Sequence, residues 1–258
     1  MAANPNTGKT TSRYLRLLAG GYNLSCDMRA VSGFGVAYDQ TEVTAWCDDA
    51  KQYLSGSGGV MIDGFQALFS NAAGGIGPED AGSHVVLSDL GSQYVSIFLG
   101  VRAAPAVGDD TFSAAFEQGG YTTSPSISDA VAVDASFYGS AVLPLSTYVW
   151  GKALATGAIW SSTTNGVSVD GGAATSNGYI AFLHVTQTAA AQASNNWSFK
   201  IEHSANDSTW STLGTFSANG SALVADRLSG SGTVNRYTRL VGTRTAGTAR
   251  VWATIIRL

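Results

Sequence analysis

Apolar and polar residues alternate along most of the chain with a period of two, which places successive side chains on opposite faces of a β-strand. In residues 94–102, Val95, Ile97, Leu99 and Val101 share one face. Residues 112–117 align Phe112, Ala114 and Phe116, and residues 131–138 align Val131, Val133, Ala135 and Phe137. Earlier, residues 31–38 divide into Val31, Gly33, Gly35 and Ala37 against Ser32, Phe34, Val36 and Tyr38, while residues 14–24 form an apolar run broken at Gly20 and Gly21. Toward the C-terminus, residues 179–186, 197–203, 210–216, 237–241 and 250–258 read as strands, with Trp197, Phe199 and Ile201 opposite Ser198, Lys200 and Glu202. Asn, Asp, Gly and Ser fill the intervals between them, as tight turns require. The pattern predicts a mainly β protein built of antiparallel sandwiches or a partial barrel.

One stretch departs from that period. Val43, Trp46, Cys47, Ala50 and Leu54 fall at i, i+3, i+4, i+7 and i+11, the spacing of a single apolar helical face. It predicts a short flanking helix over residues 43–54, with Val43, Trp46, Ala50 and Leu54 buried and the run SGSGG ending it. Val60 and Ile62 then resume strand alternation opposite Met61, Asp63 and Phe65.

The expected organisation is a polar N-terminal arm (1–12), a first β domain (13–155), a linker rich in Gly, Ser, Thr and Asn (156–178) and a second β-sandwich domain (179–258). Residues 70–82 read as a long loop. Charged residues make up 12% of the 258, against about 25% in ordinary soluble domains, which suits a subunit that hides much of its surface against neighbours. The net charge of −4 is unevenly spread: residues 1–157 hold seven basic and fourteen acidic side chains, residues 158–258 seven and four. Charge of opposite sign in the two parts favours domain or subunit contacts of fixed register.

No apolar run approaches the roughly 18 residues of a membrane span, and residues 1–16 lack the apolar core of a signal peptide, so the expected site of synthesis is the cytoplasm. Cys26 and Cys47 are then expected to be reduced and to serve as small buried hydrophobes. Catalytic and ligand-binding patterns are weak. Thr7-Gly8-Lys9-Thr10 resembles the end of a phosphate loop, but Ala3 stands where the motif needs glycine. His84, His184 and His203 have no second ligand at metal spacing, and His184, inside an apolar strand, is expected to be a hydrogen-bonded core residue. The pairs Asp48-Asp49, Glu79-Asp80 and Asp109-Asp110 read as solvated carboxylates. No catalytic residue, cofactor or metal is expected.

Residues 43–65 carry Val43, Thr44, Ala45, Trp46, Asp48, Lys51, Tyr53 and Leu54, then a glycine-bearing turn and a strand ending in Asp63, Gly64 and Phe65. This phrase resembles the major tail tube proteins of long flexible-tailed, siphovirus-type bacteriophages, and it anchors about the first 155 residues. The last hundred resemble a second domain often fused behind that one in phage proteins. The resemblance implies two antiparallel β-sandwich domains, the first a tail-tube-like sandwich or partial barrel with one flanking helix. It implies a structural virion subunit that forms stacked trimeric or hexameric rings, with itself, other phage tail proteins and genomic DNA passing through the lumen as partners, and no membrane. Candidates for self-assembly are the arm 1–12, Asn71, Gly75, Ile76, Pro78, Glu79 and Asp80 in the long loop, and Arg236 and Arg239 in the second domain. A wall that must let DNA slide is expected to be neutral to acidic, its arginines turned away or paired. The alternative is a capsid decoration or carbohydrate-binding adhesion module, which would display Trp160, Trp197 or Trp210.

Overall fold

Strand alternation carries through to the three-dimensional structure. The computed structural model describes residues 12–47, 49–72, 82–101, 103–125, 129–140, 148–188, 197–217 and 223–258. A short 3-10 turn at Ser12–Tyr14 leads into β1 (Leu15–Ala19), β2 (Tyr22–Asn23), β3 (Met28–Glu42) and β4 (Tyr53–Leu68). The helix α1 (Ser83–Leu87) is followed by β5 (Ser92–Leu99), β6 (Asp110–Ser124), β7 (Ala132–Gly139) and β8 (Trp150–Trp160). Then come β9 (Thr164–Asn165), β10 (Val169–Asp170), β11 (Tyr179–Thr188) and β12 (Trp197–Ser204). The chain ends with β13 (Ser211–Thr215), β14 (Val224–Gly230), β15 (Tyr237–Arg244) and β16 (Ala249–Arg257). All the ladders are antiparallel, in two sheets, and no closed barrel forms among the described residues.

The larger sheet runs β14-β11-β16-β8-β6-β5-β1-β2, with a branch from β6 through β7 and β4 to β3. The long strand β6 makes the branch possible. Its first residues pair with β8 (Phe112 opposite Trp150) and its later ones with β7 (Thr123 opposite Val133), while β5 occupies its other edge. The smaller sheet holds β9, β10, β12, β13 and β15.

Three buried layers result. The first core gathers Leu17, Ile62, Phe65, Val95, Ile97, Phe112, Phe116, Val133 and Phe137 between β3, β4 and β7 and the β1-β5-β6 face. The second packs Leu183, Val251 and Ile255 of the larger sheet against Trp197, Phe199, Ile201 and Leu240 of the smaller. Between them lies a seam that buries the opposite faces of the same strands. Leu18 and Phe98 meet Ala153 and Trp252, and Phe182 packs edge-on to Tyr94 with ring centroids 5.7 Å apart. Strands β5, β6, β11 and β16 therefore have stretches buried on both faces, and the second face of β5 and β6 carries the small hydroxyls Ser96, Thr111 and Ser113.

The structure corrects three sequence expectations. Residues 156–178 are not a plain linker: they hold the end of β8 together with β9 and β10, and β8 ties the two halves into one sheet. The helix over 43–54 does not form. Residues 28–42 and 53–68 pair as one long hairpin from Met28 opposite Ala67 to Glu42 opposite Tyr53, and the run SGSGG lies within β4 instead of ending a helix. An isolated helix of a dozen residues is marginal in water and needs a core beneath its apolar stripe. Here the stripe lies beyond the edge of the core, and ladder pairing wins. Cys26 and Cys47, expected to be buried, are both exposed thiols.

Candidate functional site

The hairpin of β3 and β4 outruns the sheet that anchors it. Strand β4 pairs with β7 only from Met61 to Leu68, so its first residues have β3 as their sole neighbour. Every described residue from 37 to 54 is exposed. The tip is closed locally: the Val43 amide donates to the Gln52 carbonyl at 2.9 Å, the Gln52 amide donates to Thr44 Oγ1 at 3.0 Å, and Lys51 Nζ lies 3.1 Å from Glu42 Oε2. Tyr38 covers Gly58, where a Cβ would meet the ring at 2.6 Å and push it aside.

The arm is apolar where solvent would favour polar residues. Tyr38, Val43, Tyr53 and Leu54 are about half exposed, and Trp46 is fully exposed at the tip. A two-stranded ribbon is marginal alone, and its two outer edges present unpaired amides and carbonyls. Full burial of each large apolar side chain is worth about 1.5–3 kcal/mol. Covering the five on this exposed ribbon would therefore be favourable.

Val43, Trp46, Ala50 and Leu54, expected to pack as a structural helix, all lie on this arm and face solvent. Asn71 is exposed in the coil after β4, while Gly75, Ile76, Pro78, Glu79, Asp80 and the arm 1–11 lie outside the described residues. Arg236 and Arg239 are engaged within the chain. Arg236 forms a fork with Asp170, Nε to Oδ1 at 2.7 Å and a second nitrogen to Oδ2 at 2.5 Å. The hydrogen bonds from Arg236 hold the Asp170 carboxyl down at about 2. Arg239 donates twice to Glu202 Oε2, at 3.0 and 2.7 Å, and lies 4.0 Å over the Trp210 ring. Burial alone would raise the Glu202 carboxyl, but hydrogen bonds from Lys200 and Arg239 outweigh it and leave its pKa below the usual range.

Trp160 and Trp197 are buried and offer no open ring face for sugar stacking, while Trp210 is partly exposed with Arg239 over one face of its ring. Asp109 caps the Ala106 amide at 2.8 Å, while its neighbour Asp110 pairs with Lys152 at 2.7 Å, so the two carboxylates serve different partners. Among the described residues no group of three His, Cys, Asp or Glu side chains is placed to hold a metal ion, and no helix is long and apolar enough to cross a membrane.

His184 is the buried histidine its apolar strand predicted, and it joins the two halves. Its Nδ1 lies 2.7 Å from the Gly20 carbonyl, which can only accept, so Nδ1 carries the proton. Nε2 then accepts from Ser96 Oγ at 2.7 Å, and Ser96 Oγ accepts from Ser113 Oγ at 2.8 Å. Burial pushes the imidazole pKa down to about 4, so the ring is neutral.

Fold and arm together define a mainly β protein with a protruding apolar hairpin. No family model matches the chain, and no curated protein does. Among solved structures it is similar to the crystal structure of the Dit (gp 19.1) protein of phage SPP1, described as a paradigm of the hub adsorption apparatus in phages that infect Gram-positive bacteria. That match has 9% identity and a TM-score of 0.29 over 94% of this chain and 99% of the other. A likeness that loose assigns neither fold nor role to this chain.

Proposed function

We propose that the chain is a structural subunit of a phage tail, of the tail tube type, whose copies assemble through the projecting hairpin into trimeric or hexameric rings that stack into a conduit for DNA. The observation that carries the proposal is the arm itself, with five large apolar side chains exposed on a ribbon that has no support of its own. A role completed by neighbouring copies accounts for it directly. The low charge content and the resemblance of residues 43–65 to tail tube proteins point the same way, although the helix that the resemblance implied is replaced by the arm. The role is mechanical, with no catalytic step and no cofactor, and the protein belongs in the virion tail with itself and other tail proteins as partners.

Pairing of Arg236 with Asp170 and of Arg239 with Glu202 fits a conduit that must not grip its cargo, because paired guanidinium groups release fewer counterions on meeting phosphate. Negative-stain electron microscopy and sedimentation of the purified protein test the proposal. Rings or tubes whose abundance rises with concentration are expected. Monodisperse monomers throughout the accessible range would refute it.

A further inference from the structure

The same hairpin offers, at its root, a surface of opposite charge to its tip. Arg13, Arg16, Arg29, Met28, Val31 and Phe34 line a groove of about 300 Å³ along the start of β3. Among the described residues β3 pairs only with β4, so its outer edge is open to another strand. The groove floor is apolar, because Met28, Val31 and Phe34 are half-buried against the first core. Its rim is cationic, and none of the three arginines meets a carboxylate among the described residues. Arg16 donates only to the Arg13 and Leu15 carbonyls, which leaves its charge uncompensated.

The arm is likewise apolar and open-edged but carries the opposite charge. Residues 37–54 contain four acidic residues, Asp39, Glu42, Asp48 and Asp49, against the single Lys51, and Glu42 already engages that lysine. We infer that the arm of one copy docks in the groove of the next. In that contact the arm's apolar side chains cover Met28, Val31 and Phe34, its carboxylates face the arginines, and its strand edge extends β3. The inference rests on the self-assembly reading above and adds the mode of contact. Arm and groove are different surfaces, so one docked arm leaves a free arm and a free groove on the pair; head-to-tail repetition then closes a ring or extends a filament, whereas reciprocal exchange of two arms would stop at a two-fold dimer.

Two native thiols report on it. Cys47 lies at the arm tip and Cys26 follows Ser25 at the groove rim, both free and exposed. Treatment of the full chain with a short bismaleimide should give a ladder of cross-linked oligomers. Cys26→Ser and Cys47→Ser should each abolish the ladder, whereas a mixture of the two variants should yield dimers alone. Arg13→Glu with Arg29→Glu should cut the yield at least tenfold at an unchanged melting temperature. Dimers that survive in Cys26→Ser would show arm packed on arm and overturn the inference. Rings without a Cys26 to Cys47 link would overturn the docking but leave the assembly proposal standing, whereas monomers throughout would overturn both.

Discussion

Acidification from pH 7.5 to 4.5 is expected to remove roughly 2.5 kcal/mol of folding stability through His184 alone. The imidazole titrates near 6.5 in the unfolded chain but is held at about 4 in the fold by burial. The unfolded state therefore binds the proton first. The contribution is fully present above pH 6.5 and is lost as pH falls toward 4, at up to about 1.4 kcal/mol per pH unit. The hydrogen-bond chain supplies the structural reason. A second ring proton on Nε2 would face Ser96 Oγ, which now donates there, and would place a charge in the seam between the halves. Asp170 and Glu202 are shifted below the ordinary carboxylate range, so the stability they contribute is present above that range and lost only at lower pH. His203, also depressed by burial, acts in the same direction as His184 and is unchanged in the comparison. Urea denaturation followed by tryptophan fluorescence at half-unit pH steps measures the effect in the wild type and in His184→Gln. The variant should start less stable at pH 7.5 by about 1–3 kcal/mol, the cost of imperfectly satisfied buried partners. It should then lose about 2.5 kcal/mol less on acidification. Parallel stability curves for the two proteins would refute the reasoning.

Trp46→Ser should leave the melting temperature unchanged, since the indole is fully exposed in the single chain, yet weaken self-association at least about thirtyfold in sedimentation, the loss expected of a buried aromatic anchor. Gly21→Ala should destabilise the chain by about 1–3 kcal/mol in urea denaturation, because its Cβ would lie 2.4 Å from the Val224 backbone nitrogen and force β14 away from the turn after β1.

The strands were legible because each has at least one face in a core, and burial of alternate residues leaves a period of two. The runs carrying Val95 and Ile97, Phe112 and Phe116, and Trp197 and Phe199 all found their strands. The seam was not legible. Ser96, Thr111, Ser113 and Thr254 occupy the positions that alternation assigns to solvent, yet all four are buried, with Ser96 bonded to Ser113 and Thr111 to Thr254. Small hydroxyls satisfy one another in a dry interface, and their sequence pattern is that of a wetted face. The same ambiguity made 156–178 read as a linker: glycine and serine there serve short strands and turns of the second half. Of the candidate site, the apolar stripe over residues 43–54 is legible in the sequence, but its exposure is not, because the same spacing fits a helix packed on the chain's own core.

Sequence pattern records what becomes buried and is silent about which chain buries it. Val43, Trp46, Ala50 and Leu54 fit a helical face, and the physics that would hide them inside a helix–sheet contact is the same that would hide them under a neighbouring copy. What separates the cases is the support beneath them, and here β3 and β4 leave the sheet before reaching the stripe. A head-to-tail ring adds a further demand, since an angular error at one contact is repeated at every copy and prevents closure. Arm and groove lie at the two ends of β3, whose ladder with β4 shifts register at Met28/Ala30 and Tyr38/Gln40, and pairing of β4 with β7 fixes its root to the first core. The buried seam and the β6–β8 ladder then lock the second half to the first, so its surfaces keep a constant angle to the root of the hairpin. In such a ring the hairpin would set the direction of the contact, and the doubly buried strands would hold the groove in the same orientation from copy to copy.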